Sequence, residues 1–232
     1  MSNDSSIFSS PTYLEARPAR LRNLFAHIDP ATLAGNRILE LGSGTGELGQ
    51  AFVELGCSVV SVDARREHIM QLRMQYPERE AHIADLEYWD FSSLGYFDAI
   101  LCFGLLYHLA RAADLLARCA RSTKTVFLET MVLDSAEAVV EICEEDGADQ
   151  AFSGRGCRPS PAWIVAQMAS LGFSAEDISS SLANWAASML QCSIGRRCIV
   201  GSGAGKPAFF ERCSSVDGLR TLNRHTGKVC VS

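Results

Sequence analysis

The sequence predicts an α/β fold in which a mostly parallel sheet is covered by helices on both faces. From Arg37 onward, short apolar runs alternate with amphipathic stretches of helical period, the pattern typical of a sheet buried between two helical layers. A glycine-rich turn joins the first of these strands to the helix that follows it. The chain has 232 residues, which favours one domain over two independent cores.

The bounds of the elements follow from the positions of the apolar residues. A leading helix is expected from Pro11 to about Ile28, with a bend at Pro18. Strands are expected at about 37–41, 58–63, 81–84, 97–102 and 124–129. Helices are expected at about 46–55, 65–76, 107–120 and 135–145.

The second half of the chain has weaker signals. The stretch 149–159 contains two glycines and two arginines and is interpreted as a loop. Ser160 and Pro161 then provide an N-cap and a first-turn proline, which predict a helix that ends near Leu171. Closing strands are expected at 173–178 and 197–200, and a flexible turn at 201–206. We therefore divide the chain into a leading arm and helix at 1–34, a central domain at 35–200 and a C-terminal extension at 201–232.

Composition and charge exclude several classes of protein. The 21 basic and 27 acidic residues give a net charge of −6, so no global positive field attracts nucleic acid, although a local basic groove stays open as an alternative. No apolar run is long enough to span a bilayer, and the N-terminus lacks the features of a signal peptide. We expect a cytoplasmic protein without a membrane partner, either a monomer or a homodimer.

The nine cysteines do not indicate disulfides or zinc. Their number is odd, no CxxC pair occurs, and the closest pair, Cys192 and Cys198, has neither a second close pair nor a histidine at metal-ligand spacing. They are interpreted as reduced thiols, several of them in the core, and no metal site is expected.

The most informative segment is ILELGSGTGELG, which runs from Ile38 to Gly49. A buried strand leads into Gly42, Gly44 and Gly46, and a helix follows. Glycines permit positive φ and allow a ligand close to the backbone, while the helix directs free N–H groups into the same space. This turn therefore predicts a nucleotide-like ligand.

Two ligands compete for this turn. Gly44, Gly46 and Gly49 fit the GxGxxG pattern of dinucleotide-binding folds. Glu40, however, lies on the strand just before the loop, where a carboxylate suits a ligand with positive charge better than a pyrophosphate. S-adenosylmethionine carries an ammonium and a sulfonium and has no phosphate, so it fits the carboxylate better.

From Gly35 to Asp134 the sequence resembles the class I S-adenosylmethionine-dependent methyltransferases. The resemblance rests on four segments in register: ILELGSGTGELG, SVVSVDAR, ADLEYWDF and FDAILCFGLLYHL. It implies a Rossmann-like, seven-stranded, mostly parallel sheet with helices on both faces, and S-adenosylmethionine as the cofactor. The central domain would then be the cofactor-binding methyltransferase domain.

The resemblance also implies which residues hold the cofactor. Asp63 would accept both ribose hydroxyls, although it also fits an ordinary strand-end helix cap. Asp85 would bind the adenine amino group, although a solvated loop acid is an equal alternative. The residues implied to bind cofactor are Glu40, Gly42, Ser43, Gly44, Gly46, Asp63, Ala64, Asp85, Leu86 and Phe103.

Methyl transfer needs alignment of the reacting atoms and exclusion of water. When the acceptor is a hydroxyl group, a base that takes its proton also speeds the reaction. His108 and Tyr107 follow the fourth strand, at the edge of the sheet where ligands of such folds bind. His108 is the leading candidate for a catalytic base, with a wall of the pocket as the alternative. Glu129 ends the fifth strand and is the second catalytic candidate.

An acceptor site is expected beside these residues. Arg155 and Arg158 precede the helix that begins after Ser160, and two guanidiniums beside a helix N-terminus suit an anion. With Tyr107 and His108 they are the expected substrate-binding residues, and solvated loop arginines are the alternative.

We therefore expect an enzyme that transfers a methyl group from S-adenosylmethionine to a small-molecule acceptor that is anionic or hydroxylated. The segments LCFGLLYHLARAADLL and VFLET also resemble enzymes that modify the wobble uridine of tRNA, although the net charge disfavours nucleic acid. A non-catalytic cofactor-binding partner protein and a dehydrogenase are the remaining alternatives.

Overall fold

The structure is a computed structural model. It describes the backbone of residues 11–26, 28–145, 147, 150–182, 185–193 and 197–204. Side chains are described within these ranges from residue 17 to residue 173. The predicted C-terminal extension beyond residue 204 lies outside the described residues.

The described residues form ten strands, five α-helices and three short 3₁₀ turns. The strands are β1 Arg37–Leu41, β2 Ser58–Asp63, β3 Glu80–Ile83, β4 Ala99–Phe103, β5 Thr125–Met131, β6 Val140–Glu144, β7 Arg155–Pro159, β8 Ser174–Leu182, β9 Trp185–Ser193 and β10 Arg197–Ala204. The helices are α1 Pro11–Phe25, α2 Glu47–Glu54, α3 Arg66–Gln75, α4 Ala112–Ser122 and α5 Pro161–Ser170. The 3₁₀ turns are Pro30–Leu33, Phe91–Leu94 and Leu106–His108.

The main sheet has the strand order β3-β2-β1-β4-β5-β10-β9-β8. The pairs that join β3, β2, β1, β4, β5 and β10 are all parallel, whereas β9 pairs antiparallel with both β10 and β8. The chain order reverses between β1 and β4, and ligands of open α/β sheets bind beyond the carboxyl ends of the strands at such a point. The predicted α/β class is confirmed.

The core consists of two apolar layers, one on each face of the sheet. Successive residues of β1 point to opposite faces, so Ile38 enters one layer and Leu39 enters the other. Leu24 of α1 and Phe52 of α2 complete the first layer. The second layer includes Leu115, Leu116, Ile164 and Met168 from α4 and α5. No helix among the described residues is long and apolar enough to cross a membrane.

Several predicted elements are confirmed within one or two residues, namely β1 to β5, α2, α3 and α5. The leading helix α1 also occurs, with Pro18 inside it, but it ends at Phe25, three residues before the predicted end. At α5 the Ser160 hydroxyl accepts a hydrogen bond from the backbone N–H of Trp163, which is the predicted cap.

The predicted helix at 135–145 and loop at 149–159 are wrong. The structure has an antiparallel hairpin there, in which Val140–Glu144 pairs with Arg155–Pro159. The acidic and alanine residues of the first segment favour a helix locally, but β-branched Val139, Val140 and Ile142 suit a strand once a partner strand is present. Pairing with a segment more than ten residues away decided the outcome.

The predicted helix at 107–120 is divided into the 3₁₀ turn Leu106–His108 and α4, which begins only at Ala112. Leu109 separates the two in an extended conformation with φ −117° and ψ 124°. The Glu87 carboxylate accepts hydrogen bonds from the backbone N–H groups of Ala110 and Arg111, 2.5 and 3.0 Å away. A distant carboxylate at the start of α4 thus sets where this helix begins.

The end of the sheet also differs from the prediction. Both expected closing strands occur, but β10 continues through 201–204, where a turn was expected, and β9 was not predicted. Among the described residues the main sheet therefore has eight strands, not seven. The small residues of β9 and β10 give weak strand signals, because pairing between neighbours holds them in the sheet.

Candidate active site

The glycine loop after β1 is tied to the end of β2. The backbone N–H groups of Gly42 and Ser43 both donate to the carbonyl oxygen of Val62, and that of Gly44 donates to Oδ2 of Asp63 at 2.9 Å. Gly46 has φ 88°, and a Cβ there would lie 2.6 Å from Cδ1 of Leu72. The turn therefore needs glycine for both its conformation and its packing.

Asp63 has a nearly buried carboxylate at the carboxyl end of β2. Oδ2 accepts from Gly44, and Oδ1 accepts from the N–H of Arg65 at 2.8 Å and lies 3.1 Å from Nδ1 of His68. A carboxylate offers about four acceptor positions, so one position on Oδ2 is left among the described contacts. One hydroxyl of a bound sugar fits there directly, and a second would need the position that His68 holds.

The loop after β3, which carries Asp85, is joined to the end of β2, because the N–H of Ala84 donates to the carbonyl oxygen of Asp63. Oδ1 of Asp85 accepts from the N–H of Glu87 at 2.9 Å, so part of the carboxylate shapes its own loop. Leu86 is buried in the core. Since Glu87 is in turn fixed at the start of α4, the loop is anchored at both sides.

Glu40 does not face the glycine loop as a free carboxylate. Its oxygens accept from the N–H of Gly49 at 2.7 Å and from the Ser61 hydroxyl at 2.7 Å, and the Arg79 guanidinium lies 3.8 Å away. Burial raises the pKa of Glu40 to about 7, against the opposing effects of Ser61 and Arg79. The carboxylate therefore holds α2 on the sheet, and its direct contact with a cofactor stays a prediction.

The chain leaves β4 through buried Phe103 and through Gly104, which has φ 70°. The 3₁₀ turn that follows presents Tyr107 and His108, whose rings lie 4.0 Å apart at their centroids. This turn stands at the carboxyl edge of the sheet beside the glycine loop, since a Cβ on Gly42 would lie 3.1 Å from the Leu105 side chain.

The β6–β7 hairpin brings a carboxylate to His108 that the sequence did not reveal. Oε2 of Glu145 lies 2.5 Å from Nδ1 of His108 and accepts from the N–H of Ala151 at 3.1 Å. Oε1 of Glu145 lies 2.7 Å from Nη2 of Arg158. The Glu145 side chain is 3% exposed, whereas that of His108 is 17% exposed.

The charges of this cluster are set by burial and by the hydrogen bonds. Burial lowers the pKa of His108, and this effect outweighs the hydrogen bond that His108 donates to Glu145, which raises that pKa. Burial alone would raise the pKa of Glu145, but the hydrogen bonds and charges of His108 and Arg158 lower it overall. Burial also raises the pKa of Tyr107. At neutral pH the cluster therefore holds a neutral imidazole, a carboxylate and a guanidinium.

The expected anion site of two arginines does not form. Arg155 and Arg158 are three residues apart on β7, so their side chains point to opposite faces of the strand. Nε of the exposed Arg155 lies 3.5 Å from Oε1 of Glu144, which is more exposed still. Arg158 bonds to Glu145 and donates to the carbonyl oxygen of Tyr107 at 3.2 Å. Only Arg158 of this pair belongs to the cluster.

Glu129, the second predicted catalytic residue, is paired with Arg20 of α1. The Arg20 guanidinium forms an ion pair with the Glu129 carboxylate and donates from Nη2 to Oε1 at 3.0 Å. This contact fastens the leading helix to the end of β5. A catalytic role for Glu129 stays a prediction, and its observed partner favours a structural one.

Gly156 permits the close approach of β7 to the turn that carries His108. A Cβ at this position would collide with the carbonyl oxygen of Tyr107 and lie 2.8 Å from Cδ of Glu145. The sequence offered one signal for this contact, a second glycine in SGRGC. It offered none for Glu145, which lies in the acidic run EICEED.

Replacing Gly156 with alanine should displace the hairpin and cost about 1–3 kcal/mol of unfolding free energy, because the collision involves backbone. Urea denaturation measures this loss, and the NMR shifts of the His108 ring report the displacement. Gly154→Ala is the control, since it strains φ at 75° but meets nothing within 4 Å, so the His108 shifts should not change. Unaltered His108 shifts in Gly156→Ala would contradict the packing described here.

Comparison with known proteins finds similarity to methyltransferases. Residues 38–126 match a family described as a methyltransferase domain. The ubiquinone biosynthesis O-methyltransferase of Xanthomonas oryzae pv. oryzae (strain PXO99A) is 31% identical over 124 residues, which cover 49% of this chain and 49% of that protein. The protein of that name from Dechloromonas aromatica (strain RCB) is 27% identical over 164 residues, 62% of this chain and 68% of the relative. This chain thus spans about half the length of the first of these relatives.

Solved structures show the same architecture. The N-terminal domain of EvdMO1 with SAH bound superposes with a TM-score of 0.62 at 28% identity, covering 72% of this chain and 76% of that one. Magnesium protoporphyrin IX methyltransferase (ChlM) from Synechocystis PCC 6803 with bound SAM has a TM-score of 0.52 at 14% identity, with coverages of 74% and 76%, and supports the fold alone.

The fold and the strand-end loops define a nucleotide-binding type α/β domain whose ligand site lies at the switch between β1 and β4. The match of residues 38–126 to a methyltransferase domain, the relatives named as methyltransferases and the structure with SAH bound support the class I S-adenosylmethionine-dependent methyltransferase family that the four sequence segments predicted.

Proposed function

We propose that this protein transfers a methyl group from S-adenosylmethionine to a hydroxyl group of a small molecule, with His108 as the base. The observation that carries the proposal is the position of His108 at the carboxyl end of β4. Its Nδ1 is occupied by Glu145, and the described residues offer no partner to Nε2. A neutral, partly exposed imidazole with one unengaged nitrogen is a suitable proton acceptor.

The groups at the edge of the sheet fit S-adenosylmethionine by their chemistry. Asp63 has an acceptor position left for a sugar hydroxyl, and Asp85 has Oδ2 without a partner among the described contacts. The glycine loop lies on the side of Asp63 away from Asp85, and it carries no side chain at Gly42, Gly44 and Gly46. Asp63 would hold the ribose, Asp85 the adenine amino group, and the loop from Gly42 to Gly46 the amino acid part.

When bound, S-adenosylmethionine supplies a methyl carbon on a positively charged sulfur, which keeps the electron pair of the broken bond as the acceptor oxygen bonds to the carbon. Nε2 of His108 takes the proton of the acceptor hydroxyl and later releases it to solvent. The buried ends of β4 and of the loop after β3 exclude water around this position. A base of this kind contributes about 10²- to 10⁴-fold to a rate.

A hydroxyl acceptor agrees better with the site than an anionic one. Arg158 already bonds to Glu145 and to two backbone carbonyls, and Arg155 lies on the other face of β7, so neither presents an unengaged guanidinium at His108. The relatives named as O-methyltransferases support oxygen as the methylated atom. An EvdMO1 domain crystallised in the presence of SAH and D-fucose adds sugars to the candidate acceptors.

Two measurements test the proposal. Calorimetry should detect S-adenosylhomocysteine binding and no NAD binding. Labelled S-adenosylmethionine should then transfer its methyl group to an oxygen of at least one member of a panel of phenols, catechols, sugars and carboxylates. Absence of S-adenosylhomocysteine binding would refute the proposal. Transfer only to total tRNA, or binding with no transfer to any acceptor, would favour the RNA-modifying or the non-catalytic alternative instead.

Replacing Asp63 with asparagine should weaken S-adenosylhomocysteine binding about 10- to 100-fold. The amide keeps the shape but loses one acceptor oxygen and the charge, and a hydrogen bond to a charged group is worth about 1.5–3 kcal/mol. Calorimetry gives the dissociation constants. Asp114→Asn is the control, because Asp114 pairs with Arg111 on the exposed surface of α4. An unchanged dissociation constant in Asp63→Asn would remove Asp63 from the cofactor site.

A further inference from the structure

The β6–β7 hairpin is attached to the turn Leu106–His108 at three points. The Sγ of Cys157 lies 3.6 Å from the carbonyl oxygen of Leu106, and Arg158 donates to that of Tyr107. At the third point Gly156 allows backbone contact with Tyr107. The two strands pair with each other and not with the main sheet. These three contacts hold the hairpin against the turn that carries His108.

Several hydrogen bonds fix the position of the Glu145 carboxylate. The carboxylate is buried. Its Oε2 is hydrogen-bonded to His108 and Ala151, and its Oε1 lies near Arg158. The backbone N–H of Glu145 also donates to the carbonyl oxygen of Gly154 at 2.9 Å. A carboxylate held this firmly is a fixed acceptor, so the imidazole must turn toward it.

We propose that Glu145 is the positioning residue for His108, and that it fixes the imidazole with its proton on Nδ1 so that Nε2 is the nitrogen that accepts the proton of the acceptor hydroxyl. The inference rests on the proposed function, because it assigns a purpose to the orientation of the same histidine. In a neutral imidazole one nitrogen donates and the other accepts, and a carboxylate at Nδ1 selects the donor there.

Glu145 also stabilises the product of the proton transfer. When Nε2 takes a proton, the imidazole becomes positively charged, and the carboxylate 2.5 Å from Nδ1 offsets that charge. Arg158 keeps Glu145 ionised and fills its second oxygen, so the carboxylate accepts from His108 without taking its proton. The charged and titratable groups facing His108 are Glu145, Arg158, Tyr107 and Arg65.

The first test needs no acceptor. The ¹⁵N shifts of the two imidazole nitrogens of His108, measured by NMR on the full chain above the pKa of His108, should show a protonated Nδ1 and an unprotonated Nε2. In Glu145→Gln the amide can donate as well as accept, so the tautomers should become mixed or reversed. The pKa of His108 should also fall further, because the group that raises it is gone. Glu144→Gln is the control, since Glu144 is exposed and adjacent in sequence.

The second test uses the hydroxyl acceptor that the panel identifies. Glu145→Gln should lower kcat on the order of 10²-fold and leave the S-adenosylhomocysteine dissociation constant unchanged, within the range of acid–base effects. In a His108→Ala background the same change should cost nothing more. Glu145→Asp keeps the charge and should restore the Nδ1 tautomer in part. This variant allows the test to be made even if Glu145→Gln does not fold.

The outcomes separate this inference from the proposed function. A His108 tautomer and pKa that are the same in wild type, Glu145→Gln and Glu145→Asp overturn the positioning role, whatever the enzyme methylates. Loss of activity in Glu145→Gln that adds fully to that of His108→Ala also overturns it. If His108→Ala retains full activity while Glu145 still controls the tautomer, the proposed base fails and the positioning of the imidazole stands.

Discussion

Replacing His108 with alanine should lower kcat for methyl transfer to a hydroxyl acceptor by about 10²- to 10⁴-fold. The variant loses the unengaged nitrogen that takes the hydroxyl proton, while the glycine loop and Asp63 keep their contacts. The dissociation constant of S-adenosylhomocysteine should therefore not change. Steady-state kinetics with labelled S-adenosylmethionine measures kcat, and calorimetry measures binding.

His82→Ala is the matched control for this experiment. His82 lies on β3, partly exposed, and pairs with Glu80 at 2.8 Å. Its loss should leave kcat within a factor of about two, the usual scale of a surface substitution. Added imidazole should restore part of the activity of His108→Ala. A kcat within fivefold of wild type in His108→Ala would contradict the assignment of the base.

The kcat of the wild type should increase with pH below neutrality. Because burial lowers the pKa of His108 below its usual 6.5, the imidazole is already neutral at pH 7. The kcat should rise with pH through that lowered pKa and then level off before pH 7. In Glu145→Gln the rise should move to still lower pH, because the carboxylate that favours the charged form is absent.

Replacing Glu40 with alanine should destabilise the fold by about 3–5 kcal/mol, the cost of leaving one partner of a buried ion pair without the other. The Arg79 and Glu40 side chains are 2% and 3% exposed. The change also removes the acceptor for the N–H of Gly49 and for the Ser61 hydroxyl. Urea denaturation followed by circular dichroism gives the free energy of unfolding.

Two further variants serve as controls for the loss of stability in Glu40→Ala. Glu54→Ala, at an exposed position of α2, should change stability by less than about 0.5 kcal/mol. Glu40→Gln keeps an acceptor for Gly49 and should cost clearly less than Glu40→Ala. A loss below about 1 kcal/mol in Glu40→Ala would show that the carboxylate does not hold α2 and Arg79 together.

Glu40 also gives the fold a pH dependence. Its pKa is raised from 4.5 to about 7 by burial, so the folded state holds the proton more tightly than the unfolded state. The stability that this group contributes is fully present below pH 4.5 and is lost as the pH rises through about 7. Glu40→Gln should remove this part of the slope of stability against pH.

Apolar periodicity in the sequence predicted β1 to β5 and the helices α2 and α3, because strand and helix periods are local properties of the chain. The resemblance of four segments to a known family predicted the family, and the glycine-rich turn after β1 predicted the edge at which its ligands bind. His108 was found for the same reason, since a residue that follows a parallel strand must lie at that edge.

The tertiary structure decided what depends on contacts between distant segments. Pairing of β6 with β7 overrode the helical preference of residues 135–145, and it carried Glu145 to His108 across 37 positions of sequence. Arg155 and Arg158 point to opposite faces of β7 because side chains alternate along a strand. Glu40 is buried, and its carboxylate lies beside Arg79. The roles of Glu40 and Glu145 became visible only in the structure, because neither composition nor sequence spacing shows which side chains are in contact in the fold.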